Sequence, residues 1–189
     1  QFGSKMPSDN ELHKAANKGD LEECKKYVES PEPGEEPLDV NGPGAADRRP
    51  LHRAAGAGHL DICEYLVSKG ALVDAVDKSG RTSLHWAAIS GHAHIVKFLL
   101  QQNANILAVT TNGMSALHGA CEAGKVEVVK ELLSSVASDE EKKTSLTTLK
   151  NQDGKTACEI AVASKQQAVV QALKEGGDPT AASAACIIS

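Results

Sequence analysis

Gly80-Arg81-Thr82-Ser83-Leu84-His85-Trp86-Ala87-Ala88 runs into Ile89-Ser90-Gly91-His92 and then into the apolar run Ile95-Val96-Lys97-Phe98-Leu99-Leu100. The same stretch returns on both sides of itself. Leu51-His52, Leu84-His85 and Leu117-His118 stand 33 residues apart in each step, so the period holds to the residue across three copies. A weaker Leu12-His13 and a degenerate Cys158-Glu159 extend the series at either end. Each copy reads as a glycine-bearing turn (Gly80, Gly113, Gly154), a short helix opened by Thr or Ser (Thr82, Ser115, Thr156), a glycine break (Gly58, Gly91, Gly124) and a second amphipathic helix. A helix pair of this length cannot bury its apolar face alone, so neighbouring copies must stack to complete the core.

These residues resemble the ankyrin repeat. Its T-P-L-H-x-A-A block is matched by Arg49-Pro50-Leu51-His52-Arg53-Ala54-Ala55 and by Thr82-Ser83-Leu84-His85-Trp86-Ala87-Ala88, and nearly as well by Ser115-Ala116-Leu117-His118-Gly119-Ala120-Cys121. The resemblance covers roughly residues 10–176 and implies an all-α solenoid of about five helix-turn-helix repeats with short hairpin tips and capping terminal repeats. The repeats are placed near 10–41, 45–77, 78–110, 111–150 and 151–176. Residues 1–5 are expected to be an expression remnant ahead of a native start at Met6, and 177–189 a flexible tail.

Departures from the period fall where a stack tolerates them. Leu12 to Leu51 is 39 residues, six over the period, and Leu117 to Cys158 is 41, eight over. Both excesses follow the second helix of a repeat and precede the next hairpin, where extra chain can leave the stack without breaking it. In the first, three prolines between Pro31 and Pro37 exclude helix and inner strand, leaving an acidic loop before a hairpin with its turn at Gly42-Pro43-Gly44. In the second, Ser138-Asp139-Glu140-Glu141 carries a helix-opening signal sufficient for an additional turn.

The chain of 189 residues is 41% hydrophobic but only 3% aromatic, so its core is built of Ala, Leu, Val and Ile. A net charge of −5 and no basic stripe argue against nucleic acid as a partner. No apolar run reaches the length of a membrane span, and no secretory layout opens the chain, which points to the cytoplasm. Five cysteines without C-x-x-C pairing suggest neither a disulfide framework nor a metal site. Cys24 and Cys63 fall where Val96 and Val129 stand in later copies, as small core residues.

His13, His52, His85 and His118 are spaced by a stack pitch of roughly 10 Å, one helix diameter, too far for shared metal coordination. The resemblance implies instead that each bonds turn backbone and links neighbouring repeats. No G-x-S-x-G, phosphate loop or acid pair stands outside the scaffold pattern, so neither catalysis nor a cofactor is expected.

In ankyrin proteins, partners lie against the hairpin tips and the exposed side of the first helices. In this register those positions include Arg53, Ala57, Lys78, Ser79, Trp86, Ile89, Thr111, Asn112, Gly119 and Glu122. Trp86 is the only tryptophan, and two readings of it stand open: a binding anchor in the groove, or a packing residue on the neighbouring helix.

The chain ends Cys186-Ile187-Ile188-Ser189, which looks like a C-a-a-X box of the type that takes farnesyl. No basic cluster and no second cysteine lie in the preceding segment, so a single lipid would give marginal, reversible attachment. Two functional readings follow. In one, a monomeric adaptor holds a protein partner and visits a cytosolic membrane surface, served by a prenyltransferase and a prenyl-binding carrier. In the other, a soluble ankyrin-type inhibitor or regulator carries an incidental tail.

Overall fold

The computed structural model describes residues 8–29 and 36–181. Eleven helices lie among them: α1 Glu11–Lys18, α2 Leu21–Glu29, α3 Pro50–Ala57, α4 Leu60–Ser68, α5 Ser83–Ser90, α6 Ala93–Gln101, α7 Ala116–Glu122, α8 Val126–Ser135, α9 Glu140–Thr148, α10 Ala157–Ala163 and α11 Gln167–Glu175. Extended pairing among these residues is limited to a single bridge, Val109 with Ser115. The architecture is the all-α repeat solenoid expected from the 33-residue period.

Two layers build it. First helices pack in the order α1, α3, α5, α7, α10, and second helices in the order α2, α4, α6, α8, α11. The first layer closes because paired small residues face the neighbouring helix: Ala15 and Ala16, Ala54 and Ala55, Ala87 and Ala88, Ala120 and Cys121 are all buried. With no long side chain between them, helix axes approach closely. The second layer buries branched side chains instead, Ile62 and Leu66, Ile95 and Leu99, Val128 and Leu132, Val169 and Leu173. Cys24 and Cys63 are buried in this second layer and Cys121 and Cys158 in the first, all as free thiols, and burial holds the Cys24 thiol up at about 11 and the Cys63 thiol at about 12.

The hairpin tips form a second ladder. Each tip closes on itself, Asp77 N to Arg81 O at 2.9 Å, Thr110 N to Met114 O at 2.9 Å and Asn151 N to Lys155 O at 2.9 Å. Each also donates to the tip before it, Lys78 N to Ala46 O, Thr111 N to Ser79 O and Gln152 N to Asn112 O, all within 2.9–3.0 Å.

The expected turn at Gly42-Pro43-Gly44 is corrected by this register. The tip of the second repeat is Gly44–Arg48, closed by Gly44 N to Arg48 O at 2.8 Å. Asp47 takes the left-handed conformation at φ 57° where the next tip has Gly80 at 75°, a conformation Asp tolerates better than most residues. Gly44 occupies the position of Asp77, and a side chain there would collide with Asp9 Oδ1 at 2.5 Å. That same Asp9 oxygen accepts from Ala45 N at 2.9 Å, so a residue of the first repeat supplies the acceptor that the tip lacks.

Two further expectations change. The insertion after α8 is a nine-residue helix, α9, rather than one turn. Asp139 Oδ1 caps it from Lys142 N at 3.0 Å, and the buried Leu146 and Thr147 secure it against the stack. The folded chain also extends past residue 176. Asp178 N bonds Leu173 O at 2.9 Å, Asp178 Oδ1 accepts from the backbone and hydroxyl of Thr180 at 2.7 Å each, and Ala181 is fully buried. A composition of small residues suggests a tether, yet one alanine and one local Asp turn suffice to dock these residues. Cys186 and the rest of the C-a-a-X box lie outside the described residues.

Candidate functional site: the concave groove

The groove is framed by the histidine ladder. Each ring accepts a backbone N–H at Nδ1 from the start of its own helix: Arg49 N to His52 at 2.8 Å, Thr82 N to His85 at 3.2 Å, Ser115 N to His118 at 3.2 Å. Nδ1 is therefore unprotonated, and Nε2–H donates to a carbonyl of the following hairpin, at Ala75 (2.9 Å), Met114 (3.1 Å) and Lys155 (3.2 Å). His13 shares only the second contact, its Nε2 reaching Arg48 O at 3.0 Å, while its Nδ1 meets Asn10 Oδ1 at 2.6 Å. One imidazole thus completes a helix cap and ties repeat to repeat. In the last copy Glu159 keeps the first half of that role, accepting from Thr156 N at 2.8 Å through Oε2. It serves a position with no following hairpin to bond, which explains the sequence change from histidine.

Between the tips and the first helices of the third, fourth and fifth repeats lies a cleft of about 690 Å³. Six of the expected face residues line it: Ser79, Thr111 and Asn112 on the tips, Ile89, Gly119 and Glu122 on the helices. Gly119 is buried in that lining, and a Cβ there would stand 2.7 Å from Ile89 Cγ1, so it gives the floor backbone alone. The structure corrects others. Arg53 is turned to an internal task, holding Asp9 Oδ2 at 2.6 Å and leaving 17% of its side chain exposed. That contact pins the second repeat to the first. Ala57, half-buried at the end of α3, and Lys78, exposed on its tip, are outside the cleft lining.

Trp86 combines its two readings. A Cβ at Gly56 on α3 would stand 3.6 Å from Trp86 Cε3, so the ring packs over the space that glycine leaves, and its Nε1–H donates to Asp77 Oδ2 at 3.1 Å. The Arg48 guanidinium carbon is 4.4 Å and that of Arg81 5.2 Å from the ring centroid. The indole is half-buried, fixed in orientation and flanked by two cations.

Arg48, Asp77 and Arg81 were not marked by sequence reasoning. The signal was present in the register, because Arg48 and Arg81 occupy one repeat position whose later occupants are Met114 and Lys155, and Asp77 stands where Thr110 and Asn151 stand. Only the fold shows that these positions converge on the tryptophan.

Residues 12–110 and 104–183 match a family model described as ankyrin repeats in three copies. The chain belongs to the ankyrin-repeat family. Proteins built from ankyrin repeats are typically binding modules, which implies a protein-binding role for this chain. No helix among the described residues is long and apolar enough to cross a membrane.

Proposed function

We propose that this ankyrin protein is a non-enzymatic adaptor. Its concave face holds a segment of a protein partner, and farnesylation at Cys186 brings the pair reversibly to a cytosolic membrane surface. The observation that carries the binding half is the preformed cleft, whose floor (Ile89 over Gly119) and tips (Ser79, Thr111, Asn112) are held by backbone ladders before any partner arrives. Preorganisation of this kind lowers the ordering cost of association. Ile89→Glu places a charge on the cleft floor at a half-buried site and is expected to abolish capture of the partner while the melting midpoint shifts little. Equal capture by the variant, measured by pull-down and surface plasmon resonance, removes the groove from the reading.

The membrane half rests on Cys186-Ile187-Ile188-Ser189. In a prenylating cell, intact mass is expected to show an added farnesyl group and loss of the last three residues. A minor to moderate fraction then sediments with membranes, nearly independent of salt because no basic cluster assists it. Cys186→Ser is expected to be wholly soluble with unchanged stability. An unmodified wild-type chain turns the protein into a soluble ankyrin-type regulator acting through the same groove.

A further inference from the structure

Arg48 and Arg81 sit one repeat apart and converge on the single tryptophan. Among the described residues, the only carboxylate paired with either guanidinium is Asp77, and it is already occupied. Asp77 Oδ1 accepts from Ser79 N at 2.8 Å and Arg81 N at 3.0 Å, Oδ2 accepts from the Trp86 indole, and Arg48 Nε stands off at 3.9 Å. Asp77 is thus a strut for the tip and the indole and cannot fork either guanidinium. Arg81 has no acidic partner among the described residues, and the exposed Lys78 beside it has none either. Two cations held about one ring with a single, already hydrogen-bonded carboxylate between them are under-neutralised, a cost to the free protein that an anionic ligand relieves. A guanidinium's donors lie in its own plane, so contact with an aromatic face leaves its edges free to receive a carboxylate.

Charge changes along the groove. The cleft adjoining this cluster is lined near it by Arg81 and Ser79, in the middle by Thr111, Asn112 and Ile89, and at the far end by two carboxylates, Glu122 and Asp153, against one ammonium, Lys155. An acidic segment is attracted at one end and repelled at the other. From these observations we infer that Arg48 and Arg81, stacked about Trp86, form a clamp for side-chain carboxylates of an extended partner segment that is acidic at the second- and third-repeat end and uncharged over the fourth. The inference rests on the adaptor reading and specifies the chemistry of its partner. Occupation desolvates both guanidiniums against the indole, so the clamp favours carboxylates over the isosteric amides.

Trp86, the only tryptophan, reports the site by its own fluorescence. Hexaglutamate and hexaglutamine are titrated into the full chain at low and at physiological salt, with calorimetry in parallel. The expected result is at least tenfold tighter binding of hexaglutamate, weakening as salt rises. Arg48→Gln combined with Arg81→Gln abolishes that preference, whereas Lys174→Gln, exposed in the last turn of α11 and outside the cleft, retains it. Equal affinity for the two peptides, or an undiminished preference in the double variant with an unchanged melting midpoint, overturns the clamp. A double variant that melts early is replaced by Arg81→Lys, which keeps the charge but loses the fork and is expected to reduce the preference severalfold; no reduction also overturns it. A protein partner whose capture is lost in Ile89→Glu but unaffected by the double variant overturns the clamp and leaves the adaptor standing. Hexaglutamate discrimination with no partner lost in Ile89→Glu upholds the clamp and removes the adaptor's groove.

Discussion

Leu84→Ala is expected to lower the free energy of unfolding by about 2–5 kcal/mol, the range for truncating a large aliphatic side chain in a core that relaxes only partly. Leu84 is 1% exposed, and its helix α5 packs on α3 at one side and α7 at the other. The cavity therefore opens at two inter-repeat contacts at once. Because stability in a stack is approximately a sum of repeat and interface contributions, the loss should weaken the second and fourth repeats together with the third. Urea unfolding is expected to show a lowered midpoint, and hydrogen exchange should lose protection in α3 and α7 as well as in α5. Leu72→Ala is the control: this side chain is 61% exposed, and its truncation should stay within about 0.5 kcal/mol of the parent. A midpoint for Leu84→Ala matching the parent would mean that Leu84 does not occupy the inter-repeat core.

The second large effect is with acid. Burial, ahead of any neighbouring charge, pushes the His52 imidazole down from 6.5 to about 4, and lowers His13, His85 and His118 as well. The geometry of the ladder agrees, since a proton added at Nδ1 of His52 would face the Arg49 N–H that now donates to it at 2.8 Å. A histidine whose folded pKa lies below its unfolded value binds fewer protons when folded. Its contribution is whole above about pH 6.5 and drains away as the pH falls towards 4. For His52 alone the loss is on the order of 3 kcal/mol across that window, from ~1.4 kcal/mol per pH unit. Chemical denaturation at pH 7.5, 5.5 and 4.5 is expected to show this decline. His52→Gln should be less stable at pH 7.5 and show a shallower dependence on pH. An unchanged slope in that variant would assign the acid sensitivity to other groups.

Much of this protein was legible before any tertiary structure. The 33-residue spacing of Leu51-His52, Leu84-His85 and Leu117-His118 sufficed for the solenoid, because a period of that length with a helix pair in each unit leaves stacking as the way to bury both faces. It also placed the ends of most helices, since glycine and Ser/Thr act through local backbone geometry that needs no distant partner. The cleft residues Ser79, Ile89, Thr111, Asn112 and Glu122 followed from the same register.

What the sequence could not decide were contacts between residues whose side chains choose among several neighbours. Arg53 sits at an outward-facing position of its repeat, but Asp9 from the preceding segment draws it inward. Gly119 reads as surface until Ile89 closes over it. Ala181 reads as tether until a local Asp178 turn folds it onto the core. The insertion before the last repeat reads as one turn until Leu146 finds apolar cover. Trp86 left two readings open because its partners Arg48, Asp77 and Arg81 come from two successive hairpins, and their convergence exists only once those hairpins are stacked. Periodic backbone geometry is written locally in the chain, whereas the destination of a long polar or aromatic side chain depends on which surfaces the stack brings within its reach.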